Sequence, residues 1–192
     1  TNRSTTSPPN LTLYDQELPR ADFFSYLGIP FRATGAIDPI RLIQQNSNGT
    51  LHSMRILNTI GLSTSGFNRL LTSRLNRPKL EYGLAITKFT LTQLALLEST
   101  QAQCLRLCYG SHRSASTSVM RHLTNLPSMA ERVAYLQAKF VLRAHRLPDD
   151  TLLATVVAHL TNSSTSHWSK LQQTTLWARL TSQTDNPNAS DL

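Results

Sequence analysis

Long apolar runs are missing from this chain. No stretch reaches the roughly 18 apolar residues that a bilayer-spanning helix needs, and no charged-then-apolar segment opens the sequence. Membrane insertion is therefore not expected. Cysteine is almost absent as well, with only Cys104 and Cys108 present. Two cysteines do not make the disulfide framework of a small secreted domain, and a reducing compartment inside the cell, nuclear or cytoplasmic, fits better. Without a secretion signal Asn-x-Ser/Thr sequons such as those at Asn10, Asn48, Asn162 and Asn188 carry no weight. Methionine first occurs at Met54, so the expectation is a processed chain or a piece of a longer reading frame.

Acids are scarce where bases are common. Between Pro39 and Leu147 fourteen Lys/Arg face three acids, Glu81, Glu98 and Glu131, while the two ends together carry five Lys/Arg against eight acids. The net charge of +8 is thus concentrated in the middle. A basic middle of this kind is an electrostatic footprint for nucleic acid, or a surface kept soluble by arginine.

The usual catalytic constellations are also missing. There is no G-x-S-x-G elbow and no H-E-x-x-H zinc pair, and the glycine-bounded stretch Gly61–Gly66 is not followed by Gly-Lys-Ser/Thr. Cys104, Cys108 and His112 give a C-x3-C-x3-H spacing, but structural zinc takes four ligands and no fourth lies near. The two cysteines are read instead as small apolar residues on a buried helix face. Asp149-Asp150 is the one adjacent acidic pair; it follows Leu147-Pro148 at the start of a helical pattern, where acids serve as caps and complement the helix dipole. No catalytic residue, no metal site and no cofactor is expected in this chain.

What remains is punctuation for helices. Hydrophobic residues make up 40%, enough for one domain with a core. Residues 1–20 read as an extended lead-in with a short strand at 11–14. Phe23 to Phe31 is aromatic and apolar, which favours a strand, with Gly28 inside it as a bulge or close approach and Pro30 placing it at an edge. Asp38-Pro39 opens a helix carrying Ile40, Ile43, Leu51, Met54 and Leu57, expected to weaken or kink at Asn46-Ser47-Asn48-Gly49.

A helix from about 66 should turn Phe67, Leu70, Leu71 and Leu75 inward and stop near Asn76, before Arg77-Pro78. Thr90-x-x-Gln93 and Ser128-x-x-Glu131 are capping boxes. The first starts a helix with Leu91, Leu94, Leu97, Gln101, Leu105 and Cys108 on one face, ending at Tyr109-Gly110. Between the two, Ser116 or Thr117 opens a short helix. The second box starts a helix with Met129, Val133, Leu136, Phe140, Ala144 and Leu147 inward. On a neighbouring face Arg132, Lys139, Arg143 and Arg146 fall within about 60° of one another at 100° per residue. A further helix is expected from Asp149-Asp150 to Leu160, then a Ser/Thr linker, a marginal helix around Trp168 to Leu180 and a loose end.

The expected fold class is mainly α: a short N-terminal β element, then a bundle of about five to seven helices. Its divisions are residues 1–35, a helical domain over 36–160, and a linker and tail over 161–192.

Tyr26-Leu27-Gly28-Ile29, the segment Arg77-Pro78-Lys79-Leu80-Glu81-Tyr82-Gly83, and Leu126-Pro127-Ser128-Met129 with Arg132 occur in a telling order. Together they resemble the part of reverse transcriptases of non-long-terminal-repeat (LINE-type) retrotransposons that follows the catalytic palm. The resemblance implies that Tyr26, Leu27 and Gly28 belong to a primer-grip strand and that the later helices form a thumb. It further implies that basic side chains hold the template–primer duplex of RNA and DNA; the candidates are Arg69, Arg74, Arg77, Lys79, Arg132, Lys139, Arg143 and Arg146.

The family is an RNA-directed DNA polymerase whose full-length enzyme uses Mg²⁺, but its Asp-Asp hairpin lies upstream of the Tyr-Leu-Gly strand and has no counterpart here. Only Asn76 separates the Leu75 position from Arg77-Pro78, where the family has more chain. A partial copy, inactive alone and lacking its palm partner, is therefore expected. The alternative is a helical protein-interaction module with a basic surface.

Overall fold

The computed structural model describes residues 11–59, 76–148, 150–161 and Ser169. The chain is mainly helical, with short strands at its N-terminal end. It divides into two compact units, Thr1–Asp38 and Pro39–Leu192.

Within the described residues the first unit consists of two antiparallel hairpins, β1 (Thr12–Leu13) with β2 (Gln16–Glu17) and β3 (Phe23–Tyr26) with β4 (Ile29–Arg32). Each turns in two residues. Tyr14 and Asp15 have φ of 50° and 61°, and Leu27 and Gly28 have φ of 48° and 75°. Two consecutive positive φ values make the tight turn whose twist matches paired strands. Gly28, read in the sequence as a close approach or a bulge within a hairpin-sized β element, lies in the hairpin's turn. It is the second turn residue, and the aromatic run Phe23 to Phe31 folds back on itself with Tyr26 opposite Ile29. The rings of Phe24 and Phe31 stack at 5.2 Å. Beyond β4 the chain turns at Gly35, where Gly35 N–H donates to the Arg32 carbonyl, and Ile37 bridges back to Phe31. The Arg32 guanidinium reaches the Asp38 carboxylate at 3.3 Å.

The second unit is helical. Its described elements are α1 (Pro39–Thr59), α2 (Arg77–Glu81), a 3₁₀ turn (Leu84–Ile86), α3 (Leu91–Tyr109), α4 (Thr117–Thr124), α5 (Met129–His145) and α6 (Leu152–Thr161). The expected helix from 66, the Gly61–Gly66 loop and the marginal helix around Trp168 lie outside the described residues.

Helix α3 is central: α1, α4 and α5 all pack against it. This explains why its buried face is wider than the expected stripe. Leu97, Gln101, Leu105 and Cys108 point inward as expected, but so do Thr100, Ala102 and Cys104, while Leu91 in the first turn is exposed. Met54 of α1 packs with Cys104 and Cys108, flanked by Leu51, Leu107 and Tyr109. Burial of each large side chain in this layer contributes about 2 kcal/mol.

Both capping boxes form. The Thr90 hydroxyl accepts from Gln93 N–H while Gln93 reaches back to Thr90 N–H, and Ser128 and Glu131 repeat the pattern. Gly110, in left-handed geometry at φ 58°, ends α3. Helix α6 begins later than expected. Thr151 caps it by accepting from Ala154 N–H at 3.3 Å; Asp150 sits in an exposed turn and Asp149 is outside the described residues.

Two further expectations are corrected. Helix α1 continues through Asn46-Ser47-Asn48-Gly49 without a break. Asn46 and Ser47 have partners in neighbouring elements, which offsets their weak helix preference. The Asn46 amide donates to the carbonyls of Leu80 (3.1 Å) and Tyr82 (2.7 Å), and Ser47 meets Thr100 at 2.9 Å. In α5 the buried line is Met129, Val133, Gln137, Ala138, Val141 and Ala144, with Leu147 exposed. Gln137 takes the inward place because its amide donates to the Thr87 carbonyl at 2.7 Å, satisfying a buried acceptor beyond the 3₁₀ turn.

Candidate nucleic-acid interface

Arg77-Pro78 reads in the sequence as a break after a helix. In the structure it starts one: α2 begins there, with Asn76 as N-cap residue and Pro78 in the first turn, where its missing N–H costs nothing. Gly83, at φ 74°, then turns the chain into the 3₁₀ segment, and Leu80 and Leu84 on either side are buried.

Several polar side chains fasten this short stretch. Asn46 holds its last carbonyls, and the Asn76 amide meets the Met54 sulfur. Lys79 crosses α1 to donate to Ser53 at 2.9 Å, passing over Gly49, where an added Cβ would lie 3.0 Å from Lys79 Cε. Glu81 receives Arg77 at 2.6 Å and a two-pronged contact from Arg132 at 2.8 and 2.9 Å. Its side chain is only 9% exposed, so both guanidiniums serve to neutralise a nearly buried carboxylate. The hydrogen bonds it donates to Glu81 hold the Arg132 guanidinium above its usual pKa.

The expected set of basic residues thus separates. Arg77, Lys79 and Arg132 have internal partners, and Arg69 and Arg74 lie outside the described residues. Lys139 and Arg143 on α5 and Arg146 at its C-terminal end are exposed. They lie along one line of the helix, and Glu131 is the only acid in α5. A face of this kind can neutralise phosphates without reading bases.

Tyr135 adds a feature the sequence reading passed over. Arg132 Cζ is 5.2 Å from its ring centroid and Lys139 Nζ is 5.9 Å away, within cation–π reach. The three-residue and four-residue spacing from Tyr135 to these cations was readable as one helix face. An open cleft of about 280 Å³ lies beside the ring, lined by Pro127, Glu131, Arg132 and Tyr135. Hydrogen bonds from the Ser128 hydroxyl and backbone hold Glu131 below its usual carboxylate pKa.

Tyr26 and Leu27 are exposed in the hairpin end, and Gly28 lies in its turn, so the expected primer-grip strand is a strand end and turn. Cys104 and Cys108 are buried cysteines with no disulfide between them, and His112 is exposed, its ring nitrogen 2.9 Å from the Ser114 hydroxyl. Among the described residues no three His, Cys, Asp or Glu side chains are grouped to hold a metal ion, and no helix is long and apolar enough to cross a membrane.

Fold and surface together define a mainly helical protein with a basic face on α5. Comparison with protein-family models, curated proteins and solved structures gives no match.

Proposed function

We infer that the helical unit binds nucleic acid through phosphate contacts made by Lys139, Arg143 and Arg146. The observation that carries this reading is their exposure in one line on α5, away from the ion pairs that occupy Arg77 and Arg132. The order of the Tyr26, Arg77–Gly83 and Leu126–Arg132 motifs supports a finer reading. In it the chain is the thumb-bearing part of a retrotransposon reverse transcriptase, works inside the cell on template–primer duplex, and extends no primer without an upstream palm.

Filter binding to an RNA–DNA hybrid tests the first part. Three phosphate contacts predict that log K falls with log salt at a slope of about −2.7. Absence of binding at low salt would sink it. Primer extension with Mg²⁺ tests the second, and nucleotide incorporation by the chain alone would contradict it.

A helical protein-interaction module is the second reading. Val119 and Leu123 of α4, 56% and 66% exposed, favour it. Pull-down of a protein that survives nuclease and moderate salt would support it over the first.

A further inference from the structure

The two edges of the β3–β4 hairpin are treated differently by the chain around them. The two-residue Leu27-Gly28 turn makes Tyr26 and Ile29 a pair that exchanges both backbone hydrogen bonds, and such pairs alternate along an antiparallel ladder. Phe24 and Phe31 form the next one. The N–H and C=O of Ser25 and the C=O of Pro30 therefore point away from the hairpin. On the β4 side this outward row is used: Arg32 N–H donates to the Ala36 carbonyl at 2.8 Å, and Asp38 N–H donates to the Pro30 carbonyl at 2.9 Å. On the β3 side Ser25 is exposed, and among the described residues its backbone groups meet no such partner.

The β3 edge is also undefended. Edge strands are ordinarily guarded by a lysine, a proline or a bulge. Pro30 guards β4 in this way, whereas Phe23-Phe24-Ser25-Tyr26 has no charge, no proline and an unbroken register. Strand alternation puts Phe24 and Tyr26 on one face with their partners Phe31 and Ile29. Phe24 and Tyr26 are nevertheless 49% and 64% exposed. Two strands alone are only marginally stable, so a face of this kind gains from further strands beside it.

What suits this edge is a copy of itself. Antiparallel pairing about a two-fold axis at Ser25 lets it exchange both backbone hydrogen bonds with Ser25 of the second copy. Phe24 of each chain then stands opposite Tyr26 of the other, giving two aromatic pairs on the face that already carries the Phe24–Phe31 stack. Phe23 to Phe31 contains no charged residue, so no like charges meet across the axis.

We propose that β3 is a self-pairing edge, through which two copies of this chain form a four-stranded antiparallel sheet in the order β4–β3–β3–β4. The contact is small beside the roughly 800 Å² per partner of a standard interface, so the dimer is weak, with a dissociation constant of about 100 µM.

Sedimentation velocity of the nuclease-treated full chain, from about 10 to about 500 µM, should show a monomer that passes into a dimer across that range. Ser25→Pro removes the outward N–H but no bond to β4, and it suits the extended backbone of Phe24 before it. It should raise the dissociation constant about tenfold. Ser25→Thr, which keeps the N–H, should associate as the wild type does. Upfield ring-proton shifts from the Phe24–Phe31 stack report that the hairpin is intact in each variant. Tyr26→Lys places a charge opposite Phe24 on each chain and should weaken pairing to a similar degree, which decides the matter if the proline disturbs the hairpin.

A single monomeric species throughout the range overturns the proposal. So does association that Ser25→Pro and Tyr26→Lys both leave at wild-type strength. Association kept in Ser25→Pro but lost when Val119→Glu and Leu123→Glu are combined places the contact on α4 and overturns it as well.

Discussion

Glu81 and Arg132 meet through two hydrogen bonds of 2.8 and 2.9 Å across 51 residues of chain. The pair ties the end of α2 to the first turn of α5, and Arg77 completes it from the i−4 position. Removing one partner leaves the other charged and poorly solvated. Glu81→Ala should destabilise the helical unit by about 2 kcal/mol, and Arg132→Ala by a similar amount. In a double-mutant cycle by urea unfolding, a coupling of about 1–2 kcal/mol is expected. Additive effects would show that the pair contributes nothing beyond each side chain's own packing.

The same three-way contact predicts a contrast among basic residues that look alike in the sequence. Replacing Lys139, Arg143 and Arg146 together by Glu should abolish salt-dependent nucleic-acid binding yet change stability by only about 0.5 kcal/mol, because all three are exposed. Arg132→Ala should do the reverse, lowering the melting temperature with a smaller loss of binding. Thermal melts and filter binding on the same preparations read both. Equal effects of the two changes on binding would contradict the division.

Gly49 gives a test of opposite sign. It lies inside α1, where glycine costs about 1 kcal/mol relative to alanine. The atom a new Cβ would press at 3.0 Å is Lys79 Cε, near the tip of a flexible, exposed side chain that can move aside. Gly49→Ala should therefore stabilise the unit by about 0.5 kcal/mol, even with the Lys79–Ser53 hydrogen bond strained. A loss of stability by urea titration would mean that Lys79 is held more firmly than its exposure implies.

Burial, with the neighbouring Cys108 as a smaller cause, pushes the Cys104 thiol from 9.0 up to about 12. An unfolded chain loses this proton near pH 9 and the folded chain keeps it, so the contribution to stability is complete below about 9 and is lost as pH rises toward 12. The slope from this group alone is at most about 1.4 kcal/mol per pH unit. Cys104→Ala should flatten the alkaline limb of stability against pH by that amount. Thiol labelling at pH 8 should be slow without denaturant and fast with it.

Helix existence was legible because its signals are local. Thr90 with Gln93 and Ser128 with Glu131 state their caps within four residues, and both caps form. Which face turns inward was less legible, because packing decides it from a distance. Gln137 displaces Leu136 and Phe140 from the centre of α5 because a carbonyl fifty residues away needs a donor. The polar run at Asn46 reads as a weak point for the same reason, since its partners lie across α2 and α3. At the candidate site the basic line on α5 could be read from periodicity. The withdrawal of Arg77 and Arg132 into contact with Glu81 could not, since sequence spacing says nothing about which of several cations a carboxylate takes. The Leu27-Gly28 turn was hidden by its neighbours: an aromatic run favours strand, and a leucine is an unusual carrier of positive φ.

The bonds that fasten α2 and the 3₁₀ turn also set an order in time. Asn46 to Leu80 spans 34 residues, Gln137 to Thr87 spans 50 and Glu81 to Arg132 spans 51, whereas the capped helices need only their own turns. Closing long loops before any contact rewards the closure is slow, so these bonds are expected to form after the helices have met. Asn46→Ala should then leave refolding in a stopped-flow chevron nearly unchanged and speed unfolding by about thirtyfold for a 2 kcal/mol loss. Refolding slowed by that same factor would instead put Asn46 and its two carbonyls in the folding nucleus.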